Sequence, residues 1–582
     1  MEQQQNQSPP IGREQAAAAL RTLKAYKAGK ASLERRIVEN ESWWRLRHWE
    51  QIRTKRDGDP EPASAWLQNC IANKHADAMD NYPSPFVIPR EPGDAQAASE
   101  LCGILPVLLE QNDYEQVYSD MWWYKLKNGT GVTGVFWNPE KCGGLGDVDI
   151  RQLDLLNLFW EPGVKDIQAS ANFFSVELMD RDFLLSRYPG AVLTGGGTDV
   201  TQYVYDDAVD TAGKVAVIDW YYKRRTGART VVHYAKLCCG TVLYATENDP
   251  LYRTRGFYDH GAYPFVFDAL FPEEGAPVGY GYVDVCKSPQ TQIDRLNQAI
   301  LKNAVMAARP RWFVRGDGSI NEEEYADWNR DFVHYHGSGS PRDNISQVDV
   351  HTLPDVYIAI LNGKINELKE TSGNRDFNQG SAVSGVTAAS AIAALQEAGS
   401  KLSRDMIKGA YRAYARMCYL VIELLRQFYD APRCFRITGE GGREAFTHYT
   451  NAALRPQDAH EDARFGKHPV FDVHVRPCAV GAYSRVTQNE LALRLYQAGV
   501  FDPARSEPAL TALSMMDFEG KEQVLREVQK RAAETADKLK LAAPPPEAAE
   551  ARLTQGAQAD LKKAAQSKIT ANAHERAEVK LA

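Results

Sequence analysis

At 582 residues, with 44% apolar, 10% aromatic and 25% charged side chains, the chain can bury a large core, which excludes bulk disorder, collagen-like repeats and disulfide-stapled miniature folds. Its 68 basic and 76 acidic residues leave a net charge of -8, which argues against a surface that grips nucleic-acid phosphates all over. Nine cysteines without a C-x-x-C pair fit a reduced compartment, and with no leader-like apolar stretch near the start and no apolar run of about 18 residues the chain reads as intracellular, soluble and without a membrane span.

Residues 1–12 are polar and proline-containing, the composition of a disordered end. From Arg13 to about Arg56 the apolar spacing predicts a helix with Trp43, Trp44 and Trp49 near its end, followed by a turn at Asp57 to Pro60. Trp66, Cys70, Ala78 and Met79 mark one face of a second helix that stops before Pro83. A third helix covers roughly 94–111 and a fourth 113–127. Alternation of period two then predicts a hairpin, GVTGVFW (131–137) against DVDIRQL (147–153), across turn residues Asn138 to Gly144. Further strands are predicted at 173–178, 215–224, 230–237 and 241–247, with a short helix at about 180–188.

Residues 284–308 place Ile293, Leu296, Ile300, Ala304 and Ala307 at helical spacing, and Pro310 ends the run. Short strands and turns fill 311–353. A helix resumes at 354–371 on Val356, Ile360, Leu361, Ile365 and Leu368, and the polar loop 373–385 interrupts it. From Thr387 to about Asp430 runs the longest helical pattern, roughly 65 Å at 1.5 Å per residue, the length of a rod that bridges layers of an assembly. Strands are predicted at 433–437 and 470–476, and helices from about 486 to 541. After Pro544, Pro545 and Pro546 an alanine- and charge-rich tail reads as a separate segment.

The chemical motifs are sparse. Gly129, Gly131 and Gly134 match G-x-G-x-x-G, with Asp154 following 20 residues after Gly134. A dinucleotide site needs a strand before those glycines and a helix after them; here a helix precedes and a strand follows, so they read as a helix-to-hairpin turn. No G-x-x-x-x-G-K-S/T, G-x-S-x-G or H-E-x-x-H sequence occurs, and neither a cofactor nor an enzymatic activity is expected. His334, Tyr335 and His336 put two imidazoles on one side of a strand without an adjoining ligand cluster, and read as surface histidines. Asp147, Asp149 and Asp154 resemble the carboxylate set of a two-metal nuclease but lack its further acids and lysine, so they read as a solvated hairpin face.

Two polar segments remain. Glu322, Glu323 and Glu324, with Asp327 close by, read as a solvated face or as a partner-docking surface at the tip of an insert between two helices. The loop at 373–385 carries Asn374, Arg375, Asp376, Asn378 and Gln379 between a medium helix and the longest one. It reads as a flexible connector or as a mobile loop that touches a polymer passing through a shared space.

In this order the elements resemble the portal proteins of tailed bacteriophages, the dodecameric head-to-tail connectors. The segments TGVFWNPEKCGGLGDVDIRQLDLLNLFWEPG, YPFVFDALFPEEGAPVGYGYVD, PQTQIDRLNQAILKNAVMAARPRWFV and SGVTAASAIAALQEAGSKL carry the resemblance, which extends from about 40 to 530. It implies an α+β fold: an elongated portal-type subunit with a helical stem, a mixed α/β wing, a small α/β clip and a helical C-terminal crown, assembling into a ring. Residues 1–283 would be the N-terminal region and wing, and 284–308 and 354–372 the two stem helices. Residues 309–353 would be the clip, 373–386 the tunnel loop, 387–480 the long helix with the rest of the wing, and 481–582 the crown and C-terminal tail.

The function so implied is a ring, dodecameric by analogy, at one capsid vertex of the virion, assembled in the host cytoplasm. Double-stranded DNA would enter and leave through it, bound transiently and without sequence preference. Terminase large subunit and head-completion or tail adaptor proteins would dock on the clip, at Glu322, Glu323, Glu324 and Asp327. Major capsid and scaffold proteins would be further partners. Asn374, Arg375, Asp376, Asn378 and Gln379 would reach the DNA channel. Five arginines against eight acidic residues in the clip insert suit a wall along which DNA slides rather than sticks. Alternative readings are a metal-dependent nuclease built on Asp147, Asp149 and Asp154, or another structural virion or scaffold component.

Overall fold

The computed structural model describes residues 11–52, 59–191, 200–205, 211–226, 229–308, 354–373, 401–438, 444–455 and 468–477, with short pieces of 312–347 and scattered single positions. The chain divides into two compact units, 1–478 and 479–582. In the second, residues 527–530 are helical and Val528 is buried. The elements below belong to the first.

In chain order they are α1 (Arg13–Gly29), α2 (Ala31–Trp44), α3 (His48–Gln51), α4 (Trp66–Asp80), β1 (Pro83–Pro89), α5 (Ala95–Gln111) and α6 (Tyr114–Asn128). Next come β2 (Thr130–Asn138), β3 (Asp147–Gln152), β4 (Leu158–Trp160), β5 (Asn172–Asp180), α7 (Arg181–Arg187), β6 (Lys214–Thr226), β7 (Arg229–Cys238) and β8 (Thr241–Ala245). The strands β9 (Phe265–Ala269), β10 (Phe271–Pro272) and β11 (Gly279–Tyr280) lead into α8 (Tyr282–Ala308). Then follow β12 (Trp312–Val314), β13 (Ile345–Gln347), α9 (Val356–Thr371), α10 (Lys401–Phe428), β14 (Arg433–Thr438), β15 (Glu444–Tyr449) and β16 (Phe471–Pro477). The fold is α+β, as expected.

Among the described residues the sheets are antiparallel and small. Five strands run in the order β4-β5-β6-β7-β8 and three in the order β3-β2-β9; four two-stranded ribbons pair β1 with β16, β10 with β11, β12 with β13 and β14 with β15. The five-stranded sheet is covered on both faces. Phe174, Ile218, Trp220 and Leu237 meet Ala16, Ala19 and Leu23 of α1, while Phe173 and Tyr221 face the main core. That core joins α4, α5, α6, the three-stranded sheet, the first half of α8 and the inner face of α10. Met406, Tyr414, Met417, Val421 and Leu424 of α10 are at most 6% exposed, and each such side chain contributes about 1.5–3 kcal/mol by leaving water.

Three expectations change. The single helix expected from Arg13 to Arg56 is three, interrupted at Lys30 and again near Leu46, whose φ is +58°. At the first break the Lys30 ammonium turns inward, donating to the carbonyls of Leu155 and Leu158 at 2.5 and 2.6 Å and lying 4.3 Å from the Phe159 ring centre. The strand β1 was unexpected because three of its seven residues are prolines. Arg90 N donates to Val470 O across this ribbon, while Val87 N points away from it to Cys102 Sγ. Pro83, Pro85 and Pro89 share the parity of Val87, so none removes a ladder hydrogen bond. Finally, β4, β9 and β15 are short strands that periodicity did not single out, and the part of the long helix expected at 387–400 lies outside the described residues.

Lys30 makes a measurable prediction. Burial pushes its amine down to about 7, outweighing the opposing pull of Glu34 and Asp154. An unfolded lysine titrates near 10.5, so between about 7 and 10.5 the unfolded chain holds more protons, and this group's contribution to stability rises with pH across that window. Lys30→Met is expected to flatten the rise of melting temperature with pH in that window; an identical slope in both proteins counts against a buried amine.

Candidate functional site

Asp147, Asp149 and Asp154 do not form a solvated face, nor do they form one cluster. Asp147 is 6% exposed: it accepts the Tyr429 hydroxyl on Oδ1 and the Cys142 thiol on Oδ2. Asp149 pairs with Lys141 at 2.9 Å and with Arg151; burial raises its carboxyl, and these two cations outweigh burial and hold it below the ordinary carboxylate range. Asp154, beyond the end of β3, accepts the hydroxyls of Tyr124 and Tyr205 at 2.6 and 2.8 Å and caps a short turn through Leu156 N. Each carboxylate is spent on holding the fold. Among the described residues no group of three or more metal-ligating side chains comes together. Alternation placed Asp147 and Asp149 on one face of β3 but could not tell that this face is packed.

The glycine motif is a crossing point. Gly129 ends α6 with φ +88°, and a Cβ there would lie 2.3 Å from the Tyr280 carbonyl carbon. From the other side, a Cβ on Gly281 would lie 2.5 Å from the Lys127 carbonyl oxygen. Two stretches of backbone thus touch where α6 turns into β2 and β11 into α8, and only glycine fits. The helix-to-hairpin reading holds.

Beside the hairpin, a cleft of about 690 Å³ opens between the two larger sheets, lined by Trp137, Tyr221, Tyr234 and Phe257 among others. Within it Asp219 pairs with Lys236 at 2.8 Å and accepts the Tyr234 hydroxyl at 2.7 Å.

Of the docking candidates, Glu322 lies outside the described residues and Glu323 is exposed. Glu324 and Asp327 are half-buried. Glu324 Oε2 accepts His334 N at 3.0 Å and lies 2.8 Å from His334 Nδ1, so this histidine has a carboxylate partner while staying exposed. The strands β12 and β13 pair Trp312 with Gln347, closing the insert at its base. Phe332 within it is 79% exposed. The loop candidates Asn374, Arg375, Asp376, Asn378 and Gln379 all lie outside the described residues.

The helices flanking the insert behave unusually. Pro289, Gln290, Ile293 and Asp294 of α8 are buried, but no residue of α8 after Asp294 is. The helix α9 packs against α8, and its one buried residue is Leu368, near its end. The rest of the pair shows apolar side chains to solvent: Leu301 (44%), Val305 (55%), Met306 (43%), Val356 (54%), Ile358 (54%) and Ile360 (45%). Of these, only Val356 and Ile360 belong to the apolar stripes read from sequence spacing; Leu301, Val305, Met306 and Ile358 lie off them. So many large apolar side chains left in water on one helix pair suggest a surface that another molecule covers.

The family model described as Phage P22-like portal protein matches residues 75–578. The chain belongs to that portal protein family. It is thus a tailed-phage portal protein, a structural component of the virion, and the resemblance read from its element order is correct. The match begins inside α4, so α1, α2, α3 and residues 59–65 of this portal protein lie ahead of it. No curated protein matches the chain. No helix of the portal protein, among its described residues, is long and apolar enough to cross a membrane.

Proposed function

We propose that this portal protein closes into a ring of about twelve copies, since homo-oligomers favour closed symmetry, and that the ring is the channel for double-stranded DNA at one capsid vertex. The observation that carries the reading is the family match over 75–578, and the exposed apolar side chains of α8 and α9 support it from the structure. In this reading 284–308 and 354–372 are the stem helices, each laid against the next copy, and 1–283 with 387–480 makes the wing. Residues 309–353 are the clip, which receives the terminase large subunit during packaging and adaptor proteins afterwards. Residues 481–582 form the crown and tail, and capsid and scaffold proteins meet the outside of the ring. ATP hydrolysis belongs to the separate motor subunit, since the chain has no phosphate-binding loop sequence.

The loop 373–386 is the tunnel loop, where Asn374, Asn378 and Gln379 offer neutral hydrogen bonds and Arg375 a single weak phosphate contact beside Asp376. Such a surface slows DNA without anchoring it. Negative-stain images of the purified protein test the assembly: closed rings with a central hole support it, and filaments or sheets overturn it. Replacing 374–379 by Gly/Ser is expected to leave rings intact and lower the DNA content of filled heads. Full heads from that variant would remove the loop from the mechanism.

A further inference from the structure

Between α3 and α4, residues Asp59 to Ser64 (DPEPAS) form neither helix nor strand, yet they are held along their length. Lys302 Nζ donates to Asp59 Oδ1 at 2.8 Å, and Gln298 Nε2 donates to the Pro60 carbonyl at 3.0 Å. Gln290 Nε2 donates to the Ser64 carbonyl at 2.9 Å, and Ser64 N and Oγ donate to Asp294 Oδ1 at 3.2 and 3.1 Å. The four α8 residues, 290, 294, 298 and 302, recur every fourth position and so form one stripe on the helix.

The stripe is locked at its inner end. His48 Nδ1 lies 2.6 Å from Asp294 Oδ2 and His48 Nε2 lies 3.1 Å from the Trp43 carbonyl, with both side chains of the His48–Asp294 pair 0% exposed. The Trp43 ring lies tilted against His48, with ring centres 4.6 Å apart, and Trp49 Nε1 donates to the Pro62 carbonyl at 2.9 Å. The segment is therefore tied to α8 on one side and to α3 on the other, with α2 reaching the stripe through His48.

We infer that Asp59–Ser64 is a strap that sets where α8 bends. Burial of α8 ends at Asp294, so without the strap the helix would pivot there. The ties at Gln298 and Lys302 move the pivot outward by eight residues, about 12 Å along the axis. The strap, α2 and α3 precede the family match, whereas α8 lies inside it, so the N-terminal segment of this chain acts on a helix of the family body. The strap stands on geometry alone. Its consequence, that the N-terminal helices govern how far the channel wall tilts, rests on the reading of α8 as a stem helix.

Hydrogen–deuterium exchange of the full-length protein carrying Gln298→Ala and Lys302→Ala tests it. Alanine is the better helix former, so faster exchange in this variant cannot come from helix propensity. Peptides covering 295–302 are expected to exchange roughly tenfold faster, the effect of losing two hydrogen bonds of ordinary net strength, with 282–293 unchanged. Asp59→Ala removes the Lys302 tie from the strap's side and must speed exchange in the same peptides, by less because the Gln298 tie to the Pro60 carbonyl remains. Unchanged exchange at 295–302 in either variant overturns the strap. This readout needs neither rings nor DNA, so its failure would leave the portal reading standing, and a failure of ring formation would leave the strap standing.

Discussion

Asp268→Asn is expected to lower stability by about 3–5 kcal/mol. Lys125 Nζ lies 2.6 Å from Asp268 Oδ2, with the two side chains 1% and 7% exposed, and the ammonium also sits 4.3 Å from the Trp122 ring centre. The pair joins α6 to β9 inside the main core. Asparagine keeps the shape and removes the charge, leaving a buried ammonium facing an amide oxygen and the Trp122 ring instead of a carboxylate. Lys125→Met combined with Asp268→Val removes both charges and is expected to recover most of the loss, because the cost lies in an uncompensated ion rather than in the bond itself. Urea midpoints of the wild type, the single variant and the double variant check this. A single variant within about 0.5 kcal/mol of wild type would show that the pair is not isolated from water as its burial implies.

Val305→Asp together with Ile358→Asp is expected to abolish assembly while leaving the monomer folded. Both positions are more than half exposed in the single chain, at 55% and 54%, so neither supports its core. In a ring each would be covered by the next copy, and every interface would bury two carboxylates without partners, a penalty of several kcal/mol each. Light scattering coupled to size exclusion reads the mass, and circular dichroism reads the fold. Rings of normal mass from the double variant would move the subunit interface away from α8 and α9.

What the sequence disclosed follows the range of the interactions involved. The hairpin β2–β3 and the meander β5 to β8 pair neighbours in sequence, so alternation and turn residues suffice. The ribbon β1–β16 joins Pro83 to Pro477, and no local pattern announces a partner that remote. Likewise Asp147 looked like a solvated strand residue because the Tyr429 that covers it lies 282 positions away. Lys30 carries no local mark of burial; its place in the core depends on the carbonyls of Leu155 and Leu158, more than a hundred positions away. The helices α8 and α9 were legible almost to the residue, because sustained apolar spacing is the strongest local signal. The emptiness beside them was not, since periodicity marks a face as apolar without saying what covers it. Of the candidate site, Glu323, Glu324 and Asp327 can be placed, and Glu324 is engaged with His334 rather than simply solvated.

The β1–β16 ribbon also bears on how the chain reaches this fold during synthesis. Its first strand leaves the ribosome almost four hundred residues before its second, and at about 5–20 residues per second that interval lasts roughly 20–80 s. For that time Phe86, Val87 and Ile88 wait as a strand with a free edge, while the sheets between them can already be complete. Closing the ribbon is then a late, long-range event that seals a largely formed body, and the free β1 edge is where a misplaced strand from a neighbouring nascent copy would pair first.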